Sequence, residues 1–468
     1  MCERMICRRL FLPLLILVLA EKVLADDLVK IEPSQAYQTI VGWGTSLAWW
    51  ANVAGGFPST QRQHIVDLIF DRKTGLGLNI VRYNIGGGEN PLYLAPNHQF
   101  LSLRACIPGY EPSPGVWDWK ADSNQRCILK MAIKDGANIV QAFSNSPPYW
   151  MTISGSVTGA LDSGNNLSPK FYDAFSYYLA RVVKHFHNHW GITFESVEPF
   201  NEPNTNYWHF GGSQEGCHFD CALQNILIKK LGMALQLEGS ACTPIAASDA
   251  TNVFSAVHTF QSYDSATLKA ISQIDTHTYW GGGRRKLYEL SKTAGKPLWM
   301  SETGEGDASG LSLSQRALKD MNVMHAVAWV YWQAVDGGGW GLLSSKEDSY
   351  SDTEFSFNKK YYVFANYTRF IRPGFQILGS NDPESLVAYS SKRHTLVIVT
   401  TNPGNSQKLV TLDLSGFGSS GGIGELYSTS PDRNLQSMPD LHSIHKSFSY
   451  LASEKSVNTM VIKGVSVR

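Results

Sequence analysis

Two glutamates stand at the ends of apolar, strand-like runs of the sequence. The stretch VEPFNEPN (197–204) contains Glu198 and Glu202, and LWMSETGEG (298–306) places Glu302 after another apolar run. A carboxylate at the tip of such a strand is partly desolvated, which raises its pKa and costs stability unless the group is paired. One protonated and one ionised carboxyl in the same cleft supply a general acid and a base or nucleophile.

Paired carboxylates of this kind break glycosidic bonds. On an extended strand Glu198 and Glu202 share one face, and Glu198 lies about 13 Å deeper at ~3.3 Å per residue. We therefore expect a structural role for Glu198 and place Glu202, which precedes Pro203, at the rim. The alternative for each glutamate is a structural ion pair.

The elements that position these residues follow a repeating pattern. Eight β-branched or apolar runs end in polar, glycine or aromatic residues, and helix-like segments such as 59–70 and 168–186 lie between several of them. This pattern predicts an α/β fold, a (β/α)₈ TIM barrel, whose chemistry sits at the carboxyl ends of its strands. The eight runs are 38–46, 78–88, 137–146, 194–203, 243–251, 274–280, 297–304 and 327–339.

The last hundred residues have a different character. Segments 367–378, 385–402, 408–416 and 458–468 alternate apolar and polar residues between Gly, Ser, Pro and Asn breaks, which is typical of antiparallel sheet. We expect the barrel to span 38–365 and an accessory antiparallel β-sandwich to span 366–468. An N-terminal strand at 26–37 is expected to join the sandwich.

The first 25 residues resemble a secretory signal peptide. Arg8 and Arg9 precede an apolar run from Leu10 to Ala20, and VLA ends at Ala25. This arrangement predicts cleavage before Asp26, a secreted protein and no stable membrane anchor. The sequons at Asn166 and Asn366 fit a secretory route and predict a glycoprotein.

Five cysteines remain in the mature chain, and an extracellular setting allows them to pair. We expect Cys106–Cys127 and Cys217–Cys221 disulfides, with Cys221–Cys242 as an alternative to the second. Because five is odd, at least one thiol is left over.

Composition limits the partners. Lys plus Arg (40) equals Asp plus Glu (40), so the net charge is zero, which argues against nucleic acid or an anionic membrane. Aromatic residues make up 12% of the chain, with 13 Trp. Such a chain suits a neutral, hydroxylated ligand whose C–H faces lie on rings, although the same residues also fill large cores.

Several motifs together resemble glycoside hydrolase family 30, within the clan of retaining (β/α)₈ glycosidases. FNEP closes the fourth run, WMSETG the seventh, and VYWQ lies in the eighth. GWGTSLAWWA (42–51), VRYNIGGGENP (81–91), SNSPPYWM (144–151) and DTHTYW (275–280) carry the family resemblance. The branch of the family that the chain resembles is endo-β-1,6-galactanase-like, from about residue 30 to the C-terminus.

The resemblance implies roles for individual residues. Glu202 would be the general acid/base, Glu302 the nucleophile, and their carboxyl groups would lie ~5–5.5 Å apart. Asn201 would bind the sugar 2-hydroxyl, and Arg82 would help keep Glu302 ionised. Further substrate-binding residues are expected at His277 and Tyr279 beside Glu302, at Trp332 under the sugar, and at Trp43, Trp150 and Trp208 as sugar-stacking or core aromatics. No metal or cofactor is implied.

Substrate identity stays open at this point. β-1,6-Galactan or arabinogalactan side chains are favoured, and β-1,6-glucan, xylan, glucosylceramide or an exo-acting fucosidase or galactosidase reaction would use the same mechanism. A carbohydrate-binding pseudoenzyme is the alternative from another class, but it would lack one of the two glutamates. We expect a monomer that binds a polysaccharide or oligosaccharide, with either endo or exo action.

Overall fold

The computed structural model describes residues 25–94, 99–102, 104–345 and 353–467. The expected signal peptide at 1–25 lies outside the described residues, apart from Ala25. The first strand, β1, is Ala25–Thr39. In the described part of the chain no helix is both long enough and apolar enough to cross a bilayer.

Eight parallel strands close into a barrel, as the eight apolar runs predict. Each strand pairs with the next, and β2 pairs with β9 to complete the ring. Every strand overlaps its predicted run, although β7 begins three residues before residue 274. The barrel strands are β2 (Gly42–Ser46), β3 (Ile80–Asn84), β4 (Ile139–Phe143), β5 (Ser196–Glu198), β6 (Ile245–Ala250), β7 (Ile271–His277), β8 (Leu298–Thr303) and β9 (Ala328–Gln333).

Helices cover the outside of the barrel. They are α1 (Trp50–Ala54), α2 (Ser59–Phe70), α3 (Ser123–Asp135), α4 (Tyr172–Trp190), α5 (Cys221–Leu237), α6 (Val253–Ser262), α7 (Ser265–Ala270), α8 (Arg284–Ala294), α9 (Leu311–Asn322) and α10 (Lys359–Thr368). Helix α4 starts later than its sequence predicts, because 169–171 forms a 3₁₀ turn, and the Ser168 side chain makes no capping bond.

The accessory domain is a mixed sheet, because β1 runs parallel to β15 and antiparallel to β12. The order of the main sheet is β18-β17-β21-β14-β13-β12-β1-β15-β20, with β19 beside β17. The short strands β10 (Leu343–Ser345) and β11 (Phe355–Phe357) pair before it. The remaining strands are β12 (Gln376–Ser380), β13 (Ser385–Ser390), β14 (Thr395–Asn402), β15 (Lys408–Asp413), β16 (Ser419–Ser420), β17 (Ile423–Ser430), β18 (Arg433–Ser437), β19 (Leu441–His442), β20 (Ser447–Ala452), β21 (Ser456–Lys463) and β22 (Val465–Ser466).

Strand β14 shows how the sheet of the accessory domain packs against the barrel. Its residues alternate between two cores: Leu396 and Ile398 pack with residues of β1, β15 and β20, while Val397 and Val399 join the barrel core. Side chains of a strand alternate between its faces, so one face closes the sandwich and the other packs on barrel helices. This explains why the strand is apolar on both faces rather than alternating with polar residues.

Helix α10 crosses the predicted domain boundary at 365/366. The segment 367–378 is therefore helix and turn up to Phe375, not strand, and sheet begins at Gln376. The reason is packing: Phe364 and Tyr367 contact the ring of Trp43 inside the barrel core. Helix α10, which follows the eighth barrel strand (β9), therefore includes residues 367 and 368, which the alternating pattern assigned to sheet.

The two sequons are buried, which does not support the expectation of a glycoprotein. Asn366 lies on α10 between the domains, where its Nδ2 donates to Thr429 Oγ1 at 2.7 Å and its Oδ1 accepts from Thr459 Oγ1 at 2.9 Å. Asn166 is also fully buried, and its Nδ2 donates to Ser156 O at 3.1 Å. Neither amide nitrogen is free to carry a sugar in the folded protein.

The expected disulfides are absent, and this prediction is wrong. The Sγ of Cys127 lies on α3 beside Met131 Sδ at 4.0 Å, and the Sγ of Cys221 lies 3.9 Å from Thr259 Oγ1. Each thiol is thus packed against its own neighbours rather than against its expected partner. All five are free thiols: Cys106, Cys127, Cys217, Cys221 and Cys242.

Candidate active site

The two glutamates reach the barrel mouth in different ways. Glu302 lies within β8, whereas β5 ends at Glu198 and Glu202 follows in a loop with φ 49°. The expectation that Glu198 and Glu202 share one strand face is therefore wrong. A left-handed glutamate is uncommon and needs support from its surroundings. Glu202 N donates to Asp249 O at 2.9 Å, and Trp208 Nε1 donates to Glu202 O at 3.0 Å.

The carboxyl groups of Glu202 and Glu302 face each other across the mouth. One oxygen of each lies within 4.8 Å of the other, and the residues are only 7% and 3% exposed. They line a cleft of about 630 Å³, a size suited to a small or extended ligand. An approach this close is compatible with the ~5–5.5 Å spacing of a nucleophile and an acid/base.

Arg82 of β3 joins two acidic residues beneath the cleft. Its Nη1 donates to Glu302 Oε2 at 2.7 Å, and its Nη2 donates to Asp249 Oδ2 at 2.6 Å. Burial opposes the guanidinium charge, but Asp249 and Glu302 outweigh it and raise the pKa of Arg82. Burial disfavours the Asp249 carboxylate, yet Arg82 and His277 hold the pKa of Asp249 at about 2. Both partners are therefore charged throughout the neutral range.

His277 lies between the two glutamates at the end of β7. Its Nδ1 is 3.2 Å from Glu202 Oε1 and 3.5 Å from Glu302 Oε1, and its Nε2 is 3.1 Å from Asp249 Oδ1. Burial lowers the pKa of the imidazole, but the charges of Glu302 and Asp249 outweigh this effect and raise the pKa of His277 to about 10. The imidazole is thus a cation that can donate from both nitrogens.

Two tyrosines hold the outer oxygens of the carboxyl groups. Tyr279 OH donates to Glu302 Oε1 at 2.9 Å, and Tyr207 OH donates to Glu202 Oε2. Burial and the adjacent glutamates raise the pKa of both phenols well above their usual value, so both stay protonated and donate. Each glutamate therefore has a phenol and the His277 cation as neighbours.

The charge state of Glu302 results from opposing effects. Burial raises its pKa above the usual value, and the neighbouring Glu202 and Asp249 act in the same direction. His277 and Arg82 oppose this rise, since cations favour the carboxylate. The two cations are the groups of the site that keep Glu302 available as an ion.

Glu198 lies deeper in the barrel, within a cluster of acidic side chains. An oxygen of Glu198 lies within 4.8 Å of oxygens of Asp249 and Asp275. Burial, followed by these two acids, raises the pKa of Glu198 well above its usual value, and burial raises the pKa of Asp275 to about 6. Glu198 is thus a neutral acid outside the cleft lining, which agrees with the structural role expected for it.

Asn201 and Trp332 line the cleft, as expected for sugar-binding residues. The Oδ1 of Asn201 is buried and accepts no hydrogen bond from the described residues. The Trp332 ring packs edge to face with Trp49 at 5.0 Å, so both rings form one aromatic wall. An amide side chain beside an aromatic wall suits a ligand with hydroxyls and apolar faces.

The other three tryptophans expected at the sugar are placed elsewhere. Trp43 is 0% exposed within the barrel core and its Nε1 donates to Ile371 O, so the core interpretation is correct and sugar stacking is excluded. Trp208 is buried behind Glu202 and supports its backbone. Trp150 is half-buried outside the cleft lining, with its Nε1 donating to Glu111 O.

The cleft is also lined by aromatic and polar residues that were not among the site residues expected from the sequence. Trp280 and Trp340 are 56% and 40% exposed at its rim. Trp280 is the last residue of the DTHTYW motif (275–280), so its position just after strand β7 was the available signal. The remaining lining residues are Trp49, Arg104, Asn145, Tyr207, Gln214, Glu215, Asp336, Gly337 and Gly338.

Glu202, His277 and Glu302 are close enough together to be considered as ligands for a metal ion. His277 is cationic, however, and a protonated imidazole has no lone pair to give to a metal. A metal ion would therefore have to displace the proton of His277, and the same residues fit proton transfer and nucleophilic attack.

Comparison with known proteins identifies the family. A family model described as O-Glycosyl hydrolase family 30 matches residues 26–272, more than half of the chain. The chain is 38% identical to an endo-beta-1,6-galactanase of Hypocrea rufa, over 98% of this chain and 99% of that protein. The chain belongs to O-glycosyl hydrolase family 30.

Two further proteins are similar to this chain, one in sequence and one in fold. The family 30 chain is 26% identical to an exo-beta-1,6-galactobiohydrolase of Bifidobacterium longum subsp. longum, over 86% of this chain and 36% of that protein. A conserved exported protein from Bacteroides fragilis shares the fold, with a TM-score of 0.80 at 22% identity over 93% of this chain and all of that one. The family resemblance and the TIM barrel with an accessory β domain are confirmed, and the protein is a glycoside hydrolase of a retaining family.

Proposed function

We propose that this family 30 enzyme is secreted and cleaves β-1,6-galactosyl linkages within galactan or arabinogalactan side chains. The observation that carries the substrate is the near full-length similarity to an endo-beta-1,6-galactanase. The observation that carries the chemistry is the facing pair of buried carboxyls, each held by a tyrosine and by the His277 cation.

In the first step Glu302 attacks the anomeric carbon while Glu202 protonates the leaving glycosidic oxygen. Arg82 and His277 favour the ionised form of Glu302 before the attack. The C–O bond to the leaving sugar breaks, and an ester bond forms between the anomeric carbon and a Glu302 oxygen. The proton of Glu202 leaves with the departing sugar.

In the second step Glu202, now ionised, takes a proton from a water molecule that attacks the anomeric carbon. The ester bond breaks, Glu302 returns to a carboxylate, and the sugar is released with its configuration retained. Asn201 would bind the 2-hydroxyl from its place in the cleft lining, a contact that strengthens in the transition state.

Endo action is supported by aromatic residues that extend the site beyond the catalytic pair. Trp280 and Trp340 offer exposed rings at the rim, where further sugars of a chain would lie. Secretion is supported by the basic and apolar N-terminal segment, and the enzyme is proposed to act as a monomer. An endo-acting enzyme should release galacto-oligosaccharides of several lengths, whereas an exo-acting enzyme should release galactobiose alone. The product lengths therefore separate the two modes of action.

Product analysis on de-arabinosylated β-1,6-galactan tests this function. We expect galacto-oligosaccharides from the wild type and almost none from Glu202→Gln or Glu302→Gln. Glu195→Gln is a matched control, because Glu195 is exposed just before β5. Turnover of β-1,6-glucan, xylan or a glucosyl lipid but not galactan would contradict the substrate, and undiminished activity of either glutamine variant would contradict the mechanism.

A further inference from the structure

A third glutamate, Glu215, lies at the same cleft as the catalytic pair. It follows β5 in the long loop that also contains Glu202, and it lines the cleft together with Asn145 and Asn201. The residue is almost completely buried. The mechanism above assigns no task to this carboxyl group.

The hydrogen-bonding capacity of the Glu215 carboxyl group is only partly used within the protein. Its Oε1 accepts from Gly87 N and its Oε2 accepts from Asn84 Nδ2, both at the long distance of 3.2 Å. No Lys, Arg or His of the described residues forms an ion pair with it, whereas Glu302 and Asp249 share Arg82. A carboxyl oxygen has more than one acceptor site, so each oxygen keeps capacity for a ligand.

A buried carboxyl without a cation is costly to keep charged. Burial raises the pKa of Glu215 to about 8, and the hydrogen bonds from Asn84 and Gly87 oppose this rise only in part. At neutral pH the group is therefore largely a neutral acid that donates one hydrogen bond and accepts others. That combination matches a sugar hydroxyl, which also donates and accepts.

The chemistry of a β-1,6-linked galactan limits which hydroxyls remain free. Within the chain, O1 and O6 of each sugar are in glycosidic bonds and O5 is in the ring, which leaves the 2-, 3- and 4-hydroxyls. Asn201 is the group assigned to the 2-hydroxyl. The 3- and 4-hydroxyls still need partners, and the 4-hydroxyl is the one whose orientation distinguishes galactose from glucose.

We propose that Glu215 is a specificity-determining residue that hydrogen-bonds the 3- or 4-hydroxyl of the sugar attacked by Glu302. The proposal deepens the proposed function and rests on it for the identity of the sugar. It assigns to Glu215 a contact with substrate, held in place by Asn84 and Gly87, rather than a part in the bond-breaking steps. Glu215→Gln retains a donor and an acceptor of similar size, whereas Glu215→Ala removes both.

A double-mutant cycle between enzyme and substrate tests the contact. The substrates are a 4-nitrophenyl β-1,6-galactotrioside and its 3-deoxy and 4-deoxy analogues, altered at the sugar that carries the nitrophenyl group. For the wild type we expect kcat/KM for the release of nitrophenol, the reaction in which Glu302 attacks the altered sugar, to fall on one deoxy analogue. For Glu215→Ala the parent substrate is already slow, and removal of that hydroxyl has little further effect, which gives a coupling of about tenfold or more.

Matched variants separate contact from structure. Glu111→Gln alters a buried carboxyl that accepts from Gly115 N outside the cleft lining, and the coupling should remain as in the wild type. Glu215→Gln should keep most of the activity and part of the coupling. Thermal unfolding shows whether each variant is folded.

The proposal is overturned if folded Glu215→Ala loses the same factor on the parent and on both deoxy substrates. A wild type that does not cleave the galactotrioside overturns the proposed substrate instead. In that case the cycle is repeated on the gluco or xylo series that is turned over, where an absent coupling still refutes the role of Glu215.

Discussion

Replacing Arg82 with methionine should move the acidic limb of the pH–activity profile to higher pH. Arg82 Nη1 is 2.7 Å from Glu302 Oε2, and both groups are buried. A cation this close lowers a carboxyl pKa by about 1–3 units, so its removal raises the pKa of Glu302 by a similar amount. Because attack requires ionised Glu302, activity is then lost at a higher pH as the solution is acidified.

The size of the effect follows from that shift. Below both pKa values, kcat/KM should fall about 10- to 1000-fold relative to the wild type, one factor of ten for each unit. Leaving Asp249 and Glu302 without the guanidinium costs about 3–5 kcal/mol of unfolding free energy, which a protein with ~5–15 kcal/mol of stability can survive.

The assay is kcat/KM on a soluble galacto-oligosaccharide from pH 3 to 8, with thermal unfolding in the same buffers. Arg316→Met is the matched control, because Arg316 bonds Thr278 O and Thr303 Oγ1 near the end of β8 and pairs with Glu305. Its acidic limb should match that of the wild type. An unmoved limb in folded Arg82→Met would refute the assigned effect of Arg82 on Glu302.

Four further changes have expected outcomes. Tyr279→Phe removes the 2.9 Å donor to Glu302, a hydrogen bond to a charged group worth about 1.5–3 kcal/mol, so kcat should fall at least about tenfold; an unchanged kcat would contradict the contact. His277 is protonated up to about pH 10 in the folded protein and about 6.5 when unfolded, so its stabilisation is complete below pH 6.5 and is lost as pH rises to 10. The unfolding free energy of His277→Gln, measured with urea, should therefore fall less than that of the wild type between pH 6.5 and pH 10. An equal fall in both proteins would count against a charged His277. Trp43→Phe should lower the unfolding temperature with KM unchanged, while Trp280→Ala should raise KM for galactan at unchanged unfolding temperature; the reverse pattern would mean that the structure misplaces the sugar-stacking surface.

The barrel was predictable because its signal is repeated and local. Each strand is a short apolar run, and the reactive residues follow at its carboxyl end, so Glu302 could be placed without knowledge of any contact. The positions of Glu198 and Glu202, four residues apart in the sequence, were harder to predict. Their spacing of four suggested one strand face, but β5 stops at Glu198, and the left-handed turn at Glu202 depends on bonds to Asp249 and Trp208.

Long-range packing accounts for the expectations that failed. Trp43 lies on a barrel strand near a recognisable motif, yet its ring points to α10, nearly 330 residues away in sequence at Ile371. The two sequons look like surface motifs because a three-residue pattern carries no information on burial. Asn366 is enclosed by β17 and β21, which follow it in the chain by about sixty to ninety residues.

The parallel pairing of β1 with β15 also could not be predicted from local sequence patterns. Alternation in the C-terminal segments indicated sheet but not strand direction, and β1 reaches its partner from the opposite end of the chain. Glu215 was missed for a similar reason: its segment has no strand pattern, and only the fold brings it to the cleft beside Asn145 and Asn201.

Trapping of the covalent intermediate tests the central claim most directly. An activated 2-deoxy-2-fluoro β-1,6-galactobioside should inactivate the wild type with one glycosyl group per chain, and peptide mass spectrometry should place that group on Glu302. Glu302→Gln should take up no label, while Glu195→Gln should be labelled like the wild type. A label on Glu202 or on any other side chain, or steady turnover by an enzyme that never carries a label, would contradict the double displacement through Glu302.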